Sequence, residues 1–164
     1  MRDRTKLRSV LVVVATLGIL ATFAVPGYTD GSTVTRGEFA AFATAAPGNP
    51  NASTYGDAAG HTQMIRTAEG KTIVTTHVTG LLPNTTYGSH VHAAPCALGD
   101  ANGHYKDDPF GPATPPNELW PGFTTDGDGV GNGKDRASWT AGPSAVSVVV
   151  HAPDGAKIAC ADLA

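Results

Sequence analysis

The chain has 164 residues, of which only 15% are charged, and it carries 20 glycines and 12 prolines. That composition disfavours long helices and asks for many turns, which excludes a coiled coil or a helical bundle. A formal net charge of −3 offers no basic surface for phosphate backbones, so no nucleic-acid partner is expected, and two cysteines are too few for a four-cysteine zinc site.

In chain order, Arg2, Arg4, Lys6 and Arg8 precede an almost wholly apolar run from Val10 to Val25, broken at Pro26-Gly27. A basic lead ahead of such a run reads as a secretory signal over residues 1–27, with small residues permitting cleavage after Ala24; retained, the same run would be an anchor near the lower limit for a membrane span. The reading implies a secreted protein, extracellular or in the periplasm or cell envelope, with no stable membrane association after cleavage. Removing the signal leaves seven basic against thirteen acidic side chains, a net charge of −6. In an oxidising compartment the even pair Cys96 and Cys160 is expected to form a disulfide.

Residues 28–164 read as one domain. Residues 36–46 fit a first strand or an Ala-rich helical turn, and 47–53 a loop. A short strand is expected at 63–67. The clearest strand is 72–79, rich in β-branched residues, followed by a turn at Gly80 and a strand at 87–92. Residues 93–123 hold six prolines and no periodicity, and 122–133 read as a glycine-rich hairpin region. Residues 145–151 form a strongly apolar, buried strand, and 158–163 the last one. Short strands separated by turns predict an all-β sandwich or barrel. An irregular loop as long as 93–123 in a small domain is expected to be functional or tied down.

The histidines carry the chemical signal. His90 and His92 alternate along a strand, so their rings share one face, while Val91 points to the core. His104 lies in the long loop eight residues after Cys96, and His151 ends the apolar strand nine residues before Cys160. The expected disulfide draws the two regions together and gathers four imidazoles in one neighbourhood. Nitrogen-only ligation suits copper, and also zinc. His61, assigned to a polar Gly-rich loop, and His77, facing solvent beside Thr75 and Thr79, read as structural or surface residues. Asp126-Gly-Asp-Gly-Val-Gly-Asn132 hints at a calcium loop but lacks the closing glutamate, and a hairpin turn is favoured. Asn51 and Asn84 stand in glycosylation sequons.

The segments Val78-Thr-Gly-Leu-Leu-Pro-Asn-Thr-Thr-Tyr-Gly-Ser-His-Val-His92, Gly103-His104, Ser147-Val-Val-Val-His-Ala-Pro-Asp154 and Ile158-Ala-Cys160 together resemble the copper-zinc superoxide dismutase family over residues 72–163. The resemblance implies a Greek-key β-barrel with a long disulfide-tied loop and copper on one outer face. It places His90, His92 and His151 as copper ligands and His104 as the imidazole that bridges copper and zinc in the family. It also pairs Cys96 with Cys160. Residues 105–123 hold no histidine, so the family's zinc ligands are missing and zinc is expected to be absent. Glu118 falls near the position of the zinc aspartate. With only nine residues separating His151 from Cys160, the family's electrostatic loop is missing as well. The chain thus resembles the copper-only branch, in which a carboxylate orients the bridging histidine. Lys157 stands where the family has its active-site arginine; it keeps the charge without the planar fork.

The activity this implies is copper-dependent dismutation of superoxide, a small anion, to O2 and H2O2, with His104 as the switching ligand, Glu118 holding it and Lys157 guiding the anion. The missing loop and Lys157 favour an alternative, an extracellular copper-binding protein of the same fold with little activity. A metal-free adhesion sandwich is the third reading. Oligomeric state is not readable from one chain.

Overall fold

A computed structural model describes residues 31–42, 52–98 and 101–164 of the chain. The expected signal and its cleavage site lie outside these residues, as do 43–51, including the Asn51 sequon. No helix among the described residues is long and apolar enough to cross a membrane.

Among the described residues, eight antiparallel strands form the domain: β1 (Thr33–Ala41), β2 (Ala59–Arg66), β3 (Thr72–Thr79), β4 (Thr86–His92), β5 (Phe123–Thr124), β6 (Gly131–Ala137), β7 (Ser147–His151) and β8 (Lys157–Asp162), with one helical turn, α1 (Ala52–Tyr55), before β2. They run in the order β5-β4-β7-β8-β1-β2-β3-β6. β3 and β4 are consecutive in the chain but far apart in the sheet. The connection between them therefore crosses over, and β6 to β7 crosses back, as in a Greek key. β5 packs against β6 at the remaining gap, so the sheet is nearly closed into a barrel.

The interior follows from strand alternation. In β3, Thr72, Val74, Thr76 and Val78 point inward and are buried. Met64, Tyr87, Val91, Leu119, Val148, Val150 and Ile158 fill the same core. β7 is apolar at successive positions because both of its faces are covered. Val148 and Val150 face the barrel interior, while Val149 packs outside with Phe42, Ala101 and Cys160. The cover is the loop after β4, pinned by the Cys96–Cys160 disulfide. Asp162 adds a second tie, its carboxylate accepting the Cys96 amide at 2.7 Å.

Of the two readings open for residues 36–46, the strand holds over 36–41. Two sequence expectations change. His61 sits on β2, opposite His77 of β3, because the strand begins at Ala59 and takes in Gly60. Residues 122–133 are not a hairpin in the pairing sense: β5 bonds to β4 and β6 to β3. Gly131 and Gly133 of β6 press against the Phe123 ring and the Pro121 carbonyl, where a Cβ would collide. Close packing across the barrel seam thus puts glycine into a strand that propensity disfavours. The Asp126 segment is a turn, with Asp126 Oδ1 accepting the amides of Asp128 and Val130 at 3.0 and 2.9 Å.

The disulfide closes a segment of 64 residues, which chain entropy values at about 4 kcal/mol. Replacing both cysteines by serine is expected to lower unfolding free energy by roughly that amount, read as a lower urea midpoint, with an m-value raised by the less compact unfolded chain.

Candidate metal centre

The outer faces of β4 and β7 supply three rings. The two strands pair with Gly88 opposite His151, His90 opposite Val149 and His92 opposite Ser147. Alternation puts His90, His92 and His151 on the side away from the core, and a register shift between Val150 and His151 sets the last ring at the strand end. The fourth ring comes from the long loop, which returns along β4. The Ala93 amide donates to Gly103 O at 3.1 Å and the Tyr105 amide to Val91 O at 2.8 Å, so His104 forms a bridge beside His92. Ring centroids of His90 lie 4.0 Å from His104, 4.8 Å from His151 and 6.4 Å from His92. One ligand nitrogen from each of the four lies within 4.8 Å of all the others, a group that can hold a metal ion.

Hydrogen bonds decide which nitrogen each ring offers. His92 Nδ1 faces the carbonyls of Ala101 and Asn102, both at 3.2 Å, and His151 Nδ1 faces Gly155 O at 3.1 Å. A carbonyl can only accept, so each Nδ1 carries the proton and each Nε2 keeps its lone pair. His92 Nε2, His151 Nε2 and His90 Nδ1 are buried and have no hydrogen-bond partner. Three buried lone pairs converging on one point are what a cation satisfies. Ala101 and Asn102 turn their carbonyls to His92 from left-handed backbone, with φ of 61° and 52°, a conformation held only where surroundings enforce it.

His104 is held differently. Its Nδ1 donates to Glu118 Oε2 at 2.7 Å, leaving Nε2 for the cluster, and its side chain is 28% exposed against 1% for Glu118. The same carboxylate oxygen accepts the Trp120 indole N–H at 2.7 Å. Glu118 is fixed from behind by Leu119, a core residue whose carbonyl accepts the Val91 amide at 3.1 Å. A cavity of about 260 Å³ opens beside His104, lined also by Tyr105, Lys106 and Ser144. Lys157 stands opposite His151 in the β7–β8 register. Its ammonium donates to Asn102 O at 2.8 Å, the carbonyl that also receives His92.

All four sequence-assigned histidines, Glu118, Lys157 and the disulfide therefore meet in one region. Trp120 escaped the sequence reading. It bonds Glu118 and stands edge-on to His90 at 5.0 Å, yet nothing in its local sequence marks it beyond being aromatic. The Ala101 and Asn102 carbonyls escaped too, although Asn102-Gly103 is a turn dipeptide that could have signalled left-handed backbone. No known protein family matches the chain, and neither does any curated protein.

Burial and the mutual proximity of the rings keep His90, His92 and His151 neutral. Burial first, then positive charge on His104, His151 and His92, pushes His90 down to about 3. Burial pushes His92 down to about 4 against the opposing bond to Ala101, and lowers His151 against its bond to Gly155. Neutral imidazole is the form that ligates a metal. These values lie below the ordinary 6.5, so the unfolded chain takes up protons first as pH falls. The metal-free protein is expected to be fully stable above pH about 6.5 and to lose stability as pH falls towards about 4 and 3. Thermal midpoints from pH 7 to 4 check this. A midpoint that held constant to pH 4 would contradict it.

Proposed function

We propose that the chain is a secreted, copper-dependent superoxide dismutase resembling the copper-only branch of the copper-zinc family. The observation that carries the reading is the division of labour among four rings. Three offer buried, unpartnered nitrogens from rigid strands. The fourth comes from a loop, is part-exposed and is backed by a carboxylate. An all-imidazole donor set suits copper in either oxidation state. The disulfide is compatible with an oxidising, extracellular setting, which fits the signal-like segment at residues 1–27.

His90, His92, His104 and His151 would hold the ion. When bound, copper supplies one-electron chemistry, accepting an electron from one superoxide and returning one to a second, so that two superoxides and two protons give O2 and H2O2. The protein's part is positioning and proton handling. Glu118 keeps the proton on His104 Nδ1, which leaves His104 Nε2 to alternate between ligand and proton carrier. Its exposure and the adjoining cavity give it solvent from which to draw protons. The Asn102 and Gly155 carbonyls hold His92 and His151 in the ligating tautomer, and their burial, unlike the part-exposed His104, keeps them from solvent protons. Lys157 of β8, tethered to the Asn102 carbonyl that also receives His92, attracts the anionic substrate to a domain that is net acidic. Trp120 shields the His90 side and presents its N–H to Glu118. Glu118 Oε2, already engaged by His104 Nδ1 and Trp120, occupies the side of the ring on which the family binds zinc.

The short turn from β7 to β8 and a lysine in place of arginine favour the second reading, copper binding with little turnover. Stopped-flow superoxide decay with the copper-loaded protein separates the two, and a rate no faster than spontaneous dismutation would leave only the second. On the dismutase reading, His104→Ala keeps copper on three ligands but loses activity by on the order of 10²–10⁴-fold, the range for removing a positioned proton carrier. Copper EPR and metal analysis would report the retained ion. Lys157→Gln should lower kcat/KM several-fold and flatten its dependence on ionic strength, whereas Lys157→Arg should keep the ionic-strength dependence, because steering depends on the charge.

A further inference from the structure

The chain has six histidines, and the two that the four-ring group does not use are also neighbours. His61 of β2 and His77 of β3 are directly opposite in the antiparallel register. Their buried neighbours Thr62, Thr76 and Val78 face inward, so both rings stand on the outer face of the barrel. Their centroids are 5.1 Å apart and their planes inclined by 33°. That spacing falls inside the 4.0–6.4 Å found among the rings of the four-histidine group.

A second observation orients the pair. His77 Nδ1 lies 2.9 Å from Asn132 Oδ1, and Asn132 is the residue opposite His77 on β6. With that amide oxygen accepting, His77 carries its proton on Nδ1 and its lone pair on Nε2, the arrangement that orients ligating histidines. On the other side, Glu38 of β1 is opposite His61. Four adjacent strands thus carry the row Glu38, His61, His77, Asn132. The row supplies an anionic oxygen, two imidazoles and an amide that orients one of them. The nearest cations on the same face belong to the next row, Arg36 opposite Gln63 and Lys134 opposite Thr75. This row and the four-ring group share no residue.

We propose that His61 and His77 form a second, surface site for a divalent transition-metal ion, with Asn132 orienting His77, Glu38 lending negative charge, and water completing the coordination. Two imidazoles on rigid neighbouring strands select zinc, nickel or copper over magnesium or calcium, whose ligands are oxygens. Such a site is weaker than the four-ring group and exchanges readily, as an open two-ligand site does.

Zinc titration of the full chain by calorimetry, before and after copper loading, tests the proposal. The wild type should take up one more ion than the His61→Gln/His77→Gln double variant, whatever metal the four-ring group holds. Each single variant should weaken this event at least tenfold, and Asn132→Ala by about tenfold, as for other partners that orient a ligating histidine. Zinc should also shift the NMR resonances of both rings together. Equal zinc uptake by wild type and double variant, or shifts confined to one ring, would overturn the assignment. The substitutions lie on the barrel surface, so unchanged circular dichroism would rule out loss of fold as the cause.

Discussion

Three imidazole nitrogens that are buried and unpartnered constrain everything around them. A buried polar atom without a partner costs about 1–3 kcal/mol, and a small domain is stable by only about 5–15 kcal/mol in total. A cluster of three on one face is therefore a large fraction of the margin. The surrounding bonds increase the tension rather than relieve it. The Ala101, Asn102 and Gly155 carbonyls fix the protons of His92 and His151 on Nδ1, so their Nε2 lone pairs face each other across the cluster. Proximity then disfavours protonation, which would put cations side by side. The three nitrogens are satisfied together only by an acceptor of lone pairs at their centre, and none of the described residues supplies one.

The fold delivers this cluster by covering one stretch of the barrel from outside. β7 is apolar on both faces because the loop after β4 closes over Val149, and the disulfide holds that cover to β8. The same loop carries Ala101, Asn102 and His104. Covering the strand, turning two carbonyls toward His92 and bringing in the fourth ring are thus one structural event. The left-handed backbone at Ala101 and Asn102 is its local cost. Ala101 is completely buried in the outer apolar cluster, which keeps that conformation in place.

What the sequence disclosed followed the physics of alternation and β-branching. β3 matched its expected ends, because it is rich in β-branched residues and its buried and outward positions alternate without interruption. The shared face of His90 and His92 followed from a period of two. His104 was reachable only through the disulfide, a long-range tie that places a loop no propensity can place. β6 stayed hidden because Gly131, Asn132, Gly133, Lys134 and Asp135 are poor strand formers. They are held by pairing with β3 and by close packing at the barrel seam, both tertiary effects. His61 was misplaced for a related reason: Gly60, read as part of a loop, lies within β2. Trp120 was invisible because its partner, Glu118, matters only once His104 has been brought across from the far side of the loop.

The electrostatics of the centre depend on a shared acceptor. Asn102 O receives both His92 Nδ1 and the Lys157 ammonium, so the cation that would guide an anion is tied to the carbonyl that sets the tautomer of a ligand. A flexible lysine can keep this tie as a single point contact. A planar guanidinium at the same position would bring a fork of donors to one carbonyl and compete with the imidazole for it. With the β7–β8 connection reduced to a turn around Gly155, whose own carbonyl orients His151, the strand end has no length left for additional charged residues. Lysine at position 157 therefore fits the short turn. A compact site leaves one carbonyl to serve ring and cation together, and the residue that does so must hold its charge without demanding a second acceptor.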